Sequence, residues 1–206
     1  MNDLDFSALL VSRVCHDLVS PLGAVVNGLE VLEDERDATM RADALKIVAS
    51  SAAQALARIQ FMRIAFGAAG SAGAELDLGE IGRLVNGLFD GSKIALSWEA
   101  AQGHWPKDWA KLLMNATLLG ADCLPRGGNV KVTTGEGGAA PSFRVHASGG
   151  HARVLEEVEK AVRGDANSGQ PDARGVQPLL IHKLARSLNA GLTLTAGEGF
   201  VDVVAG

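Results

Sequence analysis

The sequence predicts an α+β protein: a two-helix hairpin that forms a dimeric four-helix bundle, followed by an α/β sandwich. Three observations carry this. Apolar residues recur at gaps of three and four through Leu10, Val14, Leu18, Leu22, Val25, Leu29 and Leu32, which makes one continuous stripe on a helix. A second series, Leu45, Val48, Ala52, Ala55, Ile59, Met62 and Phe66, alternates in the same way and reads as a heptad-like seam. Beyond a run of small residues, Gly67 to Ala74, short alternating strands interleave with helices up to the last residue. The expected units are residues 1–67, the helical hairpin, and 75–206, the α/β unit.

The elements follow in order. The first helix is expected from about Leu4 to Leu32, with a bend near Asp17, because Pro21 removes a backbone hydrogen bond and crowds the preceding turn. A charged turn, Glu33 to Ala38, leads to the second helix, with Asp37 or Thr39 as its cap. A short turn between long helices gives an antiparallel pair. Two helices cannot cover both stripes, so a second copy of the hairpin is expected to close the core, in preference to packing on the chain's own second unit. Gly67–Ala74 has the composition of a linker.

In the second unit a helix carries Leu78, Ile81, Leu84, Val85 and Leu88, and a strand runs Ile94 to Trp98. Pro106 suits the first turn of a helix burying Trp109, Leu112, Leu113, Ala116 and Cys123 and stopping at Pro125. Strands at Val130–Thr134 and Ser142–His146 form a hairpin, and a helix follows near Arg153 to Val162. Gly164 to Gly175 reads as a loop, Pro178 to Leu188 as the last helix, and Leu192–Thr195 with Phe200–Val204 as a closing hairpin turned by Gly197-Glu198-Gly199. This order suits helices on one face of a mainly antiparallel sheet.

Composition narrows the function. The 206 residues are 47% hydrophobic and 4% aromatic, with no tyrosine, so the core is aliphatic and alanine-rich. A formal charge of −5 argues against a nucleic-acid partner, which needs a basic face. The two cysteines, Cys15 and Cys123, suggest neither a disulfide nor a metal site and fit a reduced cytoplasm. The acidic start, Met1 to Asp5, is unlike a signal peptide, and no apolar run is expected to reach the ~18 residues a membrane helix needs. Few residues precede the first helix, so no attached sensor is expected. His104, His146, His151 and His182 lie on different elements with no ligand spacing, and read as surface or satisfied residues.

The chemistry concentrates at Val14-Cys15-His16-Asp17-Leu18-Val19-Ser20-Pro21-Leu22. Ser12, His16, Ser20, Gly23 and Asn27 form a polar or small row on a face distinct from the apolar stripe. That row puts His16 on an exposed ridge. Neutral imidazole is nucleophilic near neutral pH. It accepts a phosphoryl group on one ring nitrogen if the other keeps its proton, and Asp17 is placed to hold that N–H. Phosphoryl transfer needs positioning and charge neutralisation above all, so a sparse site on a rigid helix suffices when a partner brings the metal. Ser12, Arg13, Ser20, Gly23 and Asn27 are the expected contacts for that partner.

His16-Asp17-Leu18-Val19-Ser20-Pro21-Leu22 resembles the H-box of two-component histidine kinases, His-(Glu/Asp)-x-x-x-Pro-(Leu/Ile). The longer run from Cys15, together with Gln60-Phe61-Met62-Arg63-Ile64-Ala65-Phe66-Gly67, resembles the histidine phosphotransferases of alphaproteobacterial cell-cycle phosphorelays. The resemblance implies a homodimer, and a second domain like a degenerate kinase ATP-binding domain. It implies phosphoryl transfer between receiver-domain aspartates through His16, with receivers of a hybrid kinase and of response regulators as partners, and magnesium supplied by the receiver. In kinases the helix matching Lys107–Leu124 carries two asparagines four apart; here Asn115 matches the first and Leu119 stands at the second. The adenine-contacting Asp-x-Gly-x-Gly becomes Ala147-Ser148-Gly149-Gly150-His151, and a Gly-x-Gly-Leu loop becomes Gly175-Val176-Gln177-Pro178. No ATP or other cofactor of its own is therefore expected. An ATP-dependent kinase core and a non-catalytic receiver-binding scaffold are the alternatives.

Overall fold

A computed structural model describes residues 2–67, 73–135, 140–165 and 175–206. Two long helices open the chain, α1 (Asp3–Asp34) and α2 (Ala38–Ala65), packed against each other as a hairpin. The Asn2 side chain caps α1 by accepting from the Asp5 backbone N–H at 2.8 Å. Asp37, rather than Thr39, caps α2, accepting from the N–H groups of Thr39 and Met40 at 2.9 Å each. Helix α1 continues unbroken through Pro21, which is buried against the hairpin.

The apolar series of the hairpin split between two surfaces. Val48, Ala55 and Met62 turn inward, whereas Leu45, Ala52, Leu56 and Ile59 stay exposed, as do Leu22, Val26 and Leu29 on α1. The two helices pack tightly at Gly28, where an added Cβ would lie 2.6 Å from Val48 Cγ2. Although no apolar run in α1 is continuous, an 18-residue window of it reaches a mean hydropathy of 1.4, long and apolar enough by composition to cross a membrane. Much of that apolar surface faces α2 or forms the exposed stripe just described.

After the hairpin come β1 (Glu75–Asp77), α3 (Leu78–Phe89), β2 (Ile94–Glu99), β3 (His104–Pro106), α4 (Lys107–Asp122), β4 (Gly128–Thr134), β5 (Phe143–Ser148), α5 (Glu156–Arg163), α6 (Val176–Ser187), β6 (Leu192–Gly197) and β7 (Phe200–Ala205). Five strands form one sheet in the order β2-β4-β5-β7-β6. Its β2–β4 pairing is parallel and the rest antiparallel. The short pair β1–β3 went unpredicted, since three residues are too few to show a period. Most of the expected loop 164–175 lies outside the described residues, as do residues 68–72 of the expected linker.

Helix α4 is the hub. Every residue from Leu112 to Ala121 is buried, because the sheet, α2, α3 and α6 all pack on it. Trp109, expected in this core, is only half-buried, at the end where α4 begins. The same hydrophobic core takes in Phe61, Met62 and Ala65 of α2. The C-terminal end of α2 therefore packs on the chain's own second unit, while the exposed seam beyond it stays open. Asn115 ties this junction. Its Nδ2 donates to Ala65 O at 2.9 Å, one of the carbonyls that the end of α2 leaves without a helical partner.

Candidate functional site

Two chain segments 109 residues apart build the site. Helix α1 supplies His16 and, one turn earlier, Arg13. The end of α4 supplies Asp122. Adjacent helical positions diverge by about 100°, yet Asp17 reaches sideways so that its Oδ1 lies 3.0 Å from His16 Nδ1. A carboxylate only accepts, so Nδ1 carries the ring proton and Nε2 carries the lone pair. The imidazole is 61% exposed while the Asp17 side chain is 12% exposed, so the nucleophile is open and its orienting group is sheltered.

Asp17 is itself held. Arg13 Nε donates to Asp17 Oδ2 at 2.8 Å, and Arg13 Nη2 donates to Asp122 Oδ2 at 3.2 Å. Burial works against the charge on Arg13, but Asp122 and Asp17 outweigh it, and the guanidinium pKa is raised. Arg13 thus takes a place different from the expected one. Its side chain is 10% exposed and turned to two carboxylates, at the wall of the cleft beside His16. The sequence hid this because the partner carboxylate comes from α4, far along the chain.

The other expected contacts divide. Ser12, Ser20 and Asn27 are exposed, and Gly23 is half-buried with nothing within 4 Å of where a Cβ would stand. Following the His16 ridge along α1 leads to an apolar groove of about 440 Å3 between the two helices. Ala24, Asn27 and Val31 line one side of it, and Met40, Ala44 and Ile47 the other. On the opposite side of His16 lies a cleft of about 380 Å3 between α1 and the second unit, lined by His16, Asp17, Arg153 and Leu155 among others. Leu155 is 49% exposed there, an apolar surface residue that no periodicity in the sequence marked.

The remaining histidines are satisfied or superficial. His146 Nδ1 lies 2.8 Å from Asp202 Oδ1, and His182 Nδ1 donates to Val162 O at 3.0 Å. His151 contacts Arg126, and His104 is exposed on β3. Leu119 and Ala147, the two positions read in the sequence against kinase nucleotide residues, are buried apolar residues. Asn115 is fully buried with its Nδ2 given to Ala65 O and Lys111 O, and Gln177 Nε2 donates to the Asn115 backbone carbonyl at 2.9 Å.

A family model described as the histidine phosphotransferase C-terminal domain matches residues 78–199. Over 204 residues the chain is 39% identical to protein phosphotransferase ChpT of Brucella abortus (strain 2308), covering 99% of this chain and 95% of that protein. A bacterial phosphotransferase of known structure, determined at 1.7 Å, superposes with a TM-score of 0.90 at 36% identity, over 100% of this chain and 98% of the other. Such coverage spans the hairpin and the α/β unit together, and the chain belongs to the histidine phosphotransferase family.

Proposed function

We propose that His16 is the phosphoryl carrier of a phosphorelay. The observation that carries the reading is the 3.0 Å contact of Asp17 Oδ1 with Nδ1 on a ring that is 61% exposed. The Nε2 lone pair attacks the phosphorus of a receiver's aspartyl phosphate. The P–O bond to the acyl oxygen breaks, and the receiver's aspartate leaves as a carboxylate. The phosphorylated ring keeps its Nδ1 proton, and Asp17 offsets the positive charge it gains. Transfer onward is the reverse, with a second receiver's carboxylate as nucleophile and Nε2 as leaving atom. Magnesium and its ligands belong to the receivers in this reading.

The apolar groove beside Asn27 suits a receiver helix laid along the His16 ridge, with Ser12, Ser20 and Gly23 next to it. Leu155 adds a second point of contact from the α/β unit. The exposed seam of Leu22, Val26, Leu29, Leu45, Leu56 and Ile59 supports a homodimer closed as a four-helix bundle. Leu119 and Ala147, standing where nucleotide anchors are expected, support a protein that takes phosphate from receivers and not from ATP. The relative's role as a protein phosphotransferase fits the same assignment, and a cytoplasmic location goes with it.

The test is radiolabel transfer, once from labelled ATP and once from a phosphorylated receiver, with His16→Ala as control. Label taken from the receiver and lost in the variant supports the proposal. Label from ATP would make the chain a kinase, and label retained by H16A would move the carrier elsewhere.

A further inference from the structure

The carboxylate beside His16 does not act alone, and its support comes from outside the helix that bears it. Asp17 meets the His16 ring with one oxygen and the Arg13 guanidinium with the other, and the Arg13 fork donates in two directions at once. The second recipient, Asp122, occupies the last turn of α4, where no basic residue stands. A carboxylate at a helix C-terminus is placed against the helix dipole, so helix physics gives no reason for an acid there. The ion pair with Arg13 does. It spans the junction of the hairpin and the second unit and fixes the guanidinium so that Nε points at Asp17.

We infer that Arg13 is a positioning residue for phosphoryl transfer, and that the second unit, through Asp122, sets the tautomer of His16. With Arg13 locked between two carboxylates, Asp17 presents Oδ1 to Nδ1 in one orientation, and the Nε2 lone pair is available before any receiver arrives. The second unit then serves the chemistry of a histidine it does not carry, besides offering surface for docking. This rests on His16 being the phosphoryl carrier.

The test uses the full chain and two readouts. Nitrogen-15 imidazole NMR reports the His16 tautomer directly, in wild type, Arg13→Met and Asp122→Asn. Single-turnover transfer from a phosphorylated receiver reports the rate at saturation and the half-saturating receiver concentration. The wild-type ring is expected to be protonated at Nδ1. R13M is expected to show a mixture with the Nε2-protonated form and to slow transfer at saturation by about two- to threefold, since Asp17 still stands beside the ring, at unchanged half-saturation. D122N is expected to move both readouts the same way by a smaller amount. An identical tautomer in all three proteins would overturn the inference. So would a raised half-saturation at unchanged rate, which would make Arg13 a receiver contact. If R13M does not fold, D122N decides alone, since it keeps Arg13 and changes a side chain that is 44% exposed. Should wild-type His16 take no label while its tautomer still responds to D122N, the carrier assignment fails and takes the role in transfer with it, and only the control of the tautomer through Asp122 stands.

Discussion

Replacing Asp17 by asparagine should harm transfer more than replacing it by alanine. In the native site one carboxylate oxygen accepts from Arg13 Nε at 2.8 Å and the other lies 3.0 Å from His16 Nδ1. An asparagine has one oxygen and one NH2 to share between them. The oxygen facing Arg13 makes a bond to a charged donor, worth roughly 1.5–3 kcal/mol, against roughly 0.5–1.5 kcal/mol for the neutral bond to the ring. The difference of about 1–2 kcal/mol corresponds to about a 5- to 30-fold preference for oxygen toward Arg13. The NH2 then faces Nδ1 as a donor, which forces the ring proton onto Nε2 and removes the nucleophilic lone pair. The reactive tautomer should fall to roughly 3–17% of the population, slowing transfer by at least that factor. Asp17→Ala leaves Nδ1 without an imposed partner, so both tautomers persist and the loss is a few-fold. Rapid-quench transfer at saturating phosphorylated receiver measures both variants, at a temperature where circular dichroism shows each folded. A D17N rate equal to or above that of D17A would refute the tautomer argument.

Further outcomes follow from the packing. Asn115→Ala leaves Ala65 O buried without its donor, which costs about 1–3 kcal/mol, and opens a small cavity besides. The change also removes the buried, unpaired Oδ1 of Asn115, which offsets part of this cost, so urea unfolding should show a loss of about 1–3 kcal/mol in total. Burial pushes the Cys123 thiol up to about 12, above its unfolded value near 9. A folded pKa raised in this way stabilises the protein fully below the unfolded value and is lost as pH rises through the folded one. Stability should therefore drop by on the order of 1 kcal/mol per pH unit between pH 9 and 12, and denaturation at stepped pH should find that dependence absent in Cys123→Ala. The double change Leu56→Lys with Ile59→Lys puts charge into the exposed seam, and sedimentation should report a monomer where the native chain gives a dimer. Leu155→Glu should raise the half-saturating receiver concentration several-fold at little change in the saturated rate.

Much of the helical architecture was legible because it is local. The caps and the long apolar period of α1 and α2 depend on residues three and four apart. Closely spaced apolar positions of the second series nevertheless hid a division: Val48, Ala55 and Met62 pack inward while Leu45, Ala52 and Ile59 remain open. A heptad seam points toward the axis of a bundle, and only the placement of α1 shows which half one hairpin covers. The pair β1–β3 was too short to read, and Trp109 was assigned to the core because an aromatic residue on an amphipathic helix looks buried whichever end it occupies.

The α+β class, the two-helix hairpin and the pairing of His16 with Asp17 were readable because they rest on residue type and short spacing. Where the Arg13 side chain points was not. From the sequence it stood beside the reactive ridge as a candidate contact, but the fold brings Asp122 to within 3.2 Å of it from 109 residues away, and a buried guanidinium follows its carboxylates. The same holds for the groove at Asn27 and the exposed Leu155 over the cleft, because a surface between elements exists only once the elements have packed.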